Sequence, residues 1–111
     1  MKLDKVRRML TDEILQGAID IGVGKQGDYG PSNTQFQRVV AMYTEMTGNK
    51  LTGVEVADVM IATKLVRLRN LFQSGGEPNN ESITDTVIDL IRYAAMREST
   101  RLYEQAQVEM T

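Results

Sequence analysis

Among its 111 residues the chain has no cysteine and no histidine. Without cysteine there are no disulfides and no thiol nucleophile, which suits a cytoplasmic protein. Without histidine, Ser-His and Cys-His nucleophilic catalysis are excluded, and so is an ordinary zinc site. A metal would have to be a hard cation held by carboxylates, Mg²⁺ foremost. Any catalysis would run on carboxylates, Lys, Arg and Tyr. Long apolar runs are missing too: none approaches the roughly 18 residues of a membrane span, and there is no signal-peptide pattern. The protein is expected to be neither membrane-spanning nor exported. A net charge of −2 is not the basic excess of a general nucleic-acid-binding surface.

What is present is ordinary for a folded chain: 41% hydrophobic and 25% charged residues. The length allows one domain, residues 1–111, with one core. No strand survives inspection, because every short apolar run sits inside a helical period. The expected fold class is all-α, a four-helix bundle-like domain.

The chain is expected to organise around a central helix at about 53–73. Thr52 and Glu55 have capping-box spacing at its start. At about 100° per residue, Val54, Ala57, Met60, Ile61, Leu65, Leu68, Leu71 and Phe72 share one broad face. Val56, Val59, Ala62 and Val66 form a second apolar strip, so both sides are expected to be covered.

A first helix is expected over residues 3–19, from Leu3, Val6, Leu10, Ile14 and Ala18, stopped by Gly22 and Gly24. Residues 22–33 then read as a long loop. Its G-x-G-x-x-G match lacks the preceding strand and following helix of a dinucleotide fold. As a glycine-rich connection it could still close over a ligand with Lys25 and Tyr29, since backbone amides and one lysine suit phosphate. Ser32, with Gln35 three on, caps a second helix that ends near Thr47 at Gly48-Asn49. Arg38 falls away from Phe36 and Val40, placing it in solvent or at a pocket rim. After a polar loop at residues 74–80, Ser82 caps a long last helix at about 83–107. Its core stripe is read as Ile83, Val87, Ile88, Leu90, Ile91, Ala94, Ala95, Leu102 and Ala106.

Lys64 is the informative residue, because it projects from the middle of the larger apolar face. An ammonium there needs a carboxylate, a phosphate or a route to water. It can snorkel at the core edge, or pair with Asp85 or Asp89 to fix helix register, or line a polar pocket with Arg67. Asp85, Asp89 and Tyr93 form one polar column on the last helix. Carboxylates a turn apart on facing helices are how a bundle holds divalent cations. That makes Asp85, Asp89, Glu55 and Asp58 candidate Mg²⁺ ligands, with Glu55 and Asp58 also readable as a solvated face. Lys64 and Arg67 would supply the cationic half of a nucleotide site.

Asp28-Tyr29-Gly30, Asn33, Phe36, the run Lys64 to Leu68 and the run Ser82 to Tyr93 together carry a resemblance. In this order, over roughly residues 27–96, the chain resembles a family of small helical phage and prophage proteins described as uncharacterised or nucleotide-modification-associated. That family is similar to MazG-like all-α nucleotide pyrophosphohydrolases, which hold Mg²⁺ against a nucleoside triphosphate with two acidic helical motifs. Glu55-x-x-Asp58 stands where the first motif would. The second is not matched, since Asp85 and Asp89 are four apart without the required Glu.

The resemblance thus implies nucleotide binding more directly than hydrolysis. The leading expectation is a phage-type protein that binds a nucleotide or nucleotide-derived signal, sequestering it against host defence. Its ligand residues would be Lys64, Arg67, Asp85, Asp89, Tyr29, Lys25, Asn33, Arg38 and Tyr93. An Mg²⁺-dependent pyrophosphohydrolase is the second expectation, and a helical interaction protein without small ligand is the third. A homo-oligomer, a dimer at least, is expected as well. The two-sided central helix, with Tyr93 and Met96 off the main stripe of the last helix, leaves apolar area to cover.

Overall fold

The computed structural model describes the main chain over residues 3–29, 32–73 and 80–111, and side chains over 10–24, 35–73 and 82–111. Among the described residues there are four helices: α1 (Leu3–Tyr29), α2 (Ser32–Thr47), α3 (Gly53–Gln73) and α4 (Asn80–Met110). Among the described residues there is no strand, and the domain is an all-α bundle. No helix among them is long and apolar enough to cross a membrane.

α3 begins where its capping box dictates. The Thr52 amide donates to Glu55 Oε1 at 3.0 Å, and the Glu55 amide donates to Thr52 Oγ1 at 3.1 Å. Two donors orphaned by helix geometry are satisfied reciprocally. α2 ends as its sequence requires. Gly48 takes φ 76°, a left-handed conformation that costs glycine little, and its amide donates to the Thr44 carbonyl at 2.8 Å. The Ser32 cap and the loop at 74–79 lie outside the described side chains and main chain, respectively.

α1 departs from expectation. It does not stop at Gly22 and Gly24 but runs to Tyr29, so most of the supposed 22–33 loop is helix. Each helical glycine costs about 1 kcal/mol relative to alanine. Packing offsets part of that cost. Gly22 lies against α4, where an added Cβ would sit 3.6 Å from Arg92 Nε. That is an ordinary van der Waals distance, so the approach of the two helices does not itself require glycine there.

The core gathers Phe36, Val56, Ala57 and Met96, with Val40, Leu51, Met60 and Tyr93 packed around them. It therefore sits where α2, the first turns of α3 and the middle of α4 meet. Phe36 and Tyr93 rings stack tilted, with centroids 6.2 Å apart. α4 touches all three other helices, and α3 packs on α2 and α4. α1 lies against α4 and, more lightly, α2, without reaching α3.

Three expectations about faces change. Met96, read as lying off the core stripe, is only 4% exposed, and Tyr93 joins it against the core. Conversely Ala94, Ala95, Leu102 and Ala106, read as stripe residues, are exposed. The second strip of α3 is covered only at Val56, leaving Val59, Ala62 and Val66 in solvent. The inward face of α4 is not the most apolar one. It carries Thr86, Asp89, Tyr93, Met96 and Thr100; Arg67 and Lys64 of α3 meet Thr86 and Asp89, while Thr100 Oγ1 is buried without a partner among the described residues.

Candidate functional site

α3 and α4 form an antiparallel pair, and their contacts run as a ladder along the seam. Near the start of α3, Glu104 of α4 accepts from the amides of Gly53 (3.3 Å) and Val54 (3.1 Å). A carboxylate there both fills orphan donors and meets the positive end of the helix dipole. Gly53 makes this approach possible, since an added Cβ would lie 2.6 Å from both Gln37 Nε2 and Thr100 Cγ2. Thr100 is fully buried. Its Oγ1 and Gln37 Nε2 are the two buried side-chain polar atoms without a partner among the described residues.

One turn further along α3, Asp58 meets Arg97, with Nε donating to Oδ1 at 2.5 Å. That hydrogen bond, helped by the guanidinium charge, holds the Asp58 carboxyl below the usual carboxylate range and raises Arg97. Both groups face solvent, so the pair is screened. Glu98 and Arg101, paired along α4, shift in the same senses for the same reason.

At mid-seam, Lys64 Nζ lies 3.0 Å from Asp89 Oδ2, each side chain about a quarter exposed (24%/24%). Next to it, Arg67 Nε donates to Thr86 Oγ1 at 3.3 Å. Thr86 is 1% exposed and donates in turn to the Ser82 carbonyl at 2.7 Å. A buried hydroxyl thus fixes one edge of the Arg67 guanidinium. Its two terminal nitrogens have no protein partner among the described residues. The ammonium of Lys64 has three donors, and Asp89 takes one direction of approach.

These two cations line an open cavity of ≈ 540 Å³ together with Thr63, Val66, Asn70 and Leu71. Cation pairs held by a second layer of hydrogen bonds suit a phosphate or carboxylate, bidentate at the guanidinium. Asn70 adds a neutral donor and acceptor, Thr63, whose hydroxyl donates to the Val59 carbonyl at 2.8 Å, adds an acceptor, and Val66 and Leu71 add apolar wall.

Of the nine expected ligand residues, the structure brings Lys64, Arg67 and Asp89 together. Asp85 is exposed one turn before Asp89. Tyr93 packs against the core with Phe36. Arg38 is exposed on α2. Lys25 and Tyr29 fall on the main chain of α1 and Asn33 on that of α2, with side chains outside the described residues.

The expected Mg²⁺ set does not gather. Among the described residues no three acidic side chains come close enough to hold a metal. Glu55 is taken by the Thr52 amide, Asp58 by Arg97 and Asp89 by Lys64. The donor set therefore does not fit a carboxylate-held cation.

Sequence reading missed Thr86, Glu104, Gly53, Thr63 and Asn70. Thr86 had a usable signal, since it shares a helix face with Asp89 and Tyr93 at i, i+3 and i+7. Glu104 had none, because its partner lies some fifty residues away and only the antiparallel register brings them together.

A small all-α bundle with a cation-lined cavity on the flank of α3, beside its seam with α4, is the class that fold and site define. Residues 13–101 match the family described as a domain of unknown function, DUF6378, and the chain belongs to that family. No curated protein and no solved structure matches the chain.

Proposed function

We propose that the protein binds a nucleotide or nucleotide-derived signalling molecule at the α3 flank, with phosphate on Lys64 and Arg67. One observation carries the reading. Arg67 is anchored through Nε to a buried threonine while its terminal nitrogens are left to a cavity that Lys64 also lines. The cavity volume falls within the roughly 300–1,000 Å³ of small-molecule sites. Asn70 and Thr63 would read base or sugar, and Val66 would lie against a ring face. The reading is of a binder: among the described residues no carboxylate group gathers to hold Mg²⁺, so sequestration accounts for the site better than pyrophosphate hydrolysis does. The phage-type, anti-defence role belongs to the same proposal and rests on the resemblance noted in the sequence.

A second reading is favoured by the Lys64–Asp89 pair itself. In it the lysine serves helix register, and the protein acts through its helical surfaces without a small ligand.

A thermal-shift screen across nucleoside triphosphates, cyclic nucleotides and ADP-ribose-derived compounds, with and without Mg²⁺, tests the proposal. A ligand at about 100 times its dissociation constant adds roughly 2.7 kcal/mol, on the order of 10 °C for a domain this size. The expected result is a shift for a phosphate-bearing ligand that needs no Mg²⁺ and disappears in Arg67→Ala. No shift across the panel would leave the second reading.

A further inference from the structure

α1 offers solvent an apolar column where a helix on a finished surface would be polar. Leu15 (46% exposed), Ile19 (59%) and Val23 (68%) lie at i, i+4 and i+8. They form one wall of an apolar groove of ≈ 470 Å³ whose opposite wall is α4, through Ile91, Arg92 and Ala95. The floor is made of small or buried groups, Ala18, Gly22 and Met96. A ridge of branched side chains thus runs beside a furrow lined by alanine and glycine on the same face.

The area of the chain says how much covering it lacks. A compact monomer of 12.4 kDa exposes about 6,100 Å². This chain exposes 8164 Å². Its radius of gyration is 16.8 Å, against about 13 Å for a compact domain of this length. The surplus of about 2,000 Å² per chain is spread over an elongated molecule, the exposed end of α4 at 105–110 included, and leaves room for the roughly 800 Å² per partner of a standard interface.

Charge points the same way. Arg92 stands in the groove wall with no acidic partner among the described residues. Along the outer edge of the α1 ridge, Asp12, Gln16 and Asp20 form the adjoining column, with Gln16 donating to Asp20 at 2.9 Å. A cation beside a furrow and an acidic column beside a ridge are self-complementary under a two-fold axis, which applies every contact twice.

We infer that a second copy of this chain covers the groove, the α1 ridge of each copy seated in the α1/α4 furrow of the other. Arg92 of each copy faces the Asp12–Asp20 column of its mate. The dimer is formed through α1 and α4 and leaves the α3 cavity open, so it stands or falls independently of nucleotide binding.

Sedimentation equilibrium of the full chain tests this, alongside Ile19→Asp, Arg92→Glu and, as a control on the exposed strip of α3, Val59→Asp. The expected result is a dimer mass for the parent and for Val59→Asp. Ile19→Asp should remain helical by circular dichroism and sediment as a monomer. Arg92→Glu should raise the dissociation constant about tenfold or more. A monomer mass for the parent at high micromolar concentration would overturn the inference, as would a dimer that survives Ile19→Asp or is lost only in Val59→Asp. A monomeric parent that takes up a fatty acid or an apolar dye, lost in Ile19→Asp, would assign the groove to a small apolar ligand instead.

Discussion

The α3/α4 seam and the outer face of α1 are built the opposite way round from each other. The seam is where the protein is most tightly joined, yet its inward side chains include Thr86, Asp89 and Thr100, and it is closed by Lys64, Arg67 and Glu104. The outer face of α1 meets solvent, yet it carries Leu15, Ile19 and Val23. Polar groups inside a seam are stabilised where a partner meets them, as Lys64 meets Asp89 and Arg67 meets Thr86, whereas Thr100 Oγ1 has none among the described residues. A contiguous exposed apolar column is a candidate contact surface. The seam is thus a region of internal pairing, to which the proposals above add a ligand, and α1 is the face to which they assign a second copy.

Substitutions should separate the two regions, the seam responding most. Lys64→Met leaves Asp89 facing its neighbours uncompensated and should destabilise by about 2 kcal/mol, less than for a fully buried pair because a quarter of each side chain is wet. Urea unfolding of Lys64→Met, Asp89→Leu and the double variant gives the coupling, and the double variant should lie near the parent. Gly53→Ala should cost at least about 1 kcal/mol at the other end of the seam, since the added methyl meets Gln37 and buried Thr100 at 2.6 Å. The opposite sign would mean that helix propensity outweighs the close approach.

Glu104→Ala should cost about 1 kcal/mol by removing the carboxylate from the α3 amides. Hydrogen exchange should show it as faster opening of the first turn of α3, and unchanged exchange there would remove Glu104 as a cap.

On exposed surface the responses should be small. Val59→Thr should alter the midpoint by no more than about 0.5 kcal/mol. The Asp58–Arg97 pair should show at neutral pH and disappear under acid. Because the carboxyl is held below its unfolded value, its contribution is present above about pH 4 and is lost as pH falls through the folded value. An Asp58→Asn variant should track the parent below that range and fall slightly beneath it at neutral pH, with the gap shrinking in salt.

How far the sequence could be read follows the same division. The bounds of α3 were legible because Thr52, Glu55 and the following apolar period are local signals, and Gly48-Asn49 marked the end of α2 for the same reason. The Lys64–Asp89 pair was legible as one alternative among several, since a lysine in an apolar face needs a carboxylate, a phosphate or a route to water, and either Asp85 or Asp89 was in line to be the carboxylate. The burial of Met96 and Tyr93 was not, because α4 carries apolar residues almost all round and its period does not say which face meets α3. Glycine punctuation misled in α1. Gly22 and Gly24 read as a stop, but an intrinsic cost of about 1 kcal/mol each is small beside what a packed helix face returns. A pocket on Lys64 and Arg67 was one of the options the residues allowed, but its lining by Thr63 and Asn70 and the hold of Thr86 on Arg67 were not read, because Thr86 acts on it only through the register of two helices.

The most direct test of the central claim is nucleotide titration of the Lys64→Met/Asp89→Leu double variant. This protein should fold as well as the parent, because the charge pair is removed as a unit. If the seam polar groups serve a ligand, a phosphate-bearing compound that shifts the parent should bind the double variant weaker by about 2 kcal/mol, roughly thirtyfold, in isothermal titration. Equal affinity in a folded double variant would contradict the account and leave Lys64 as a residue of helix register alone.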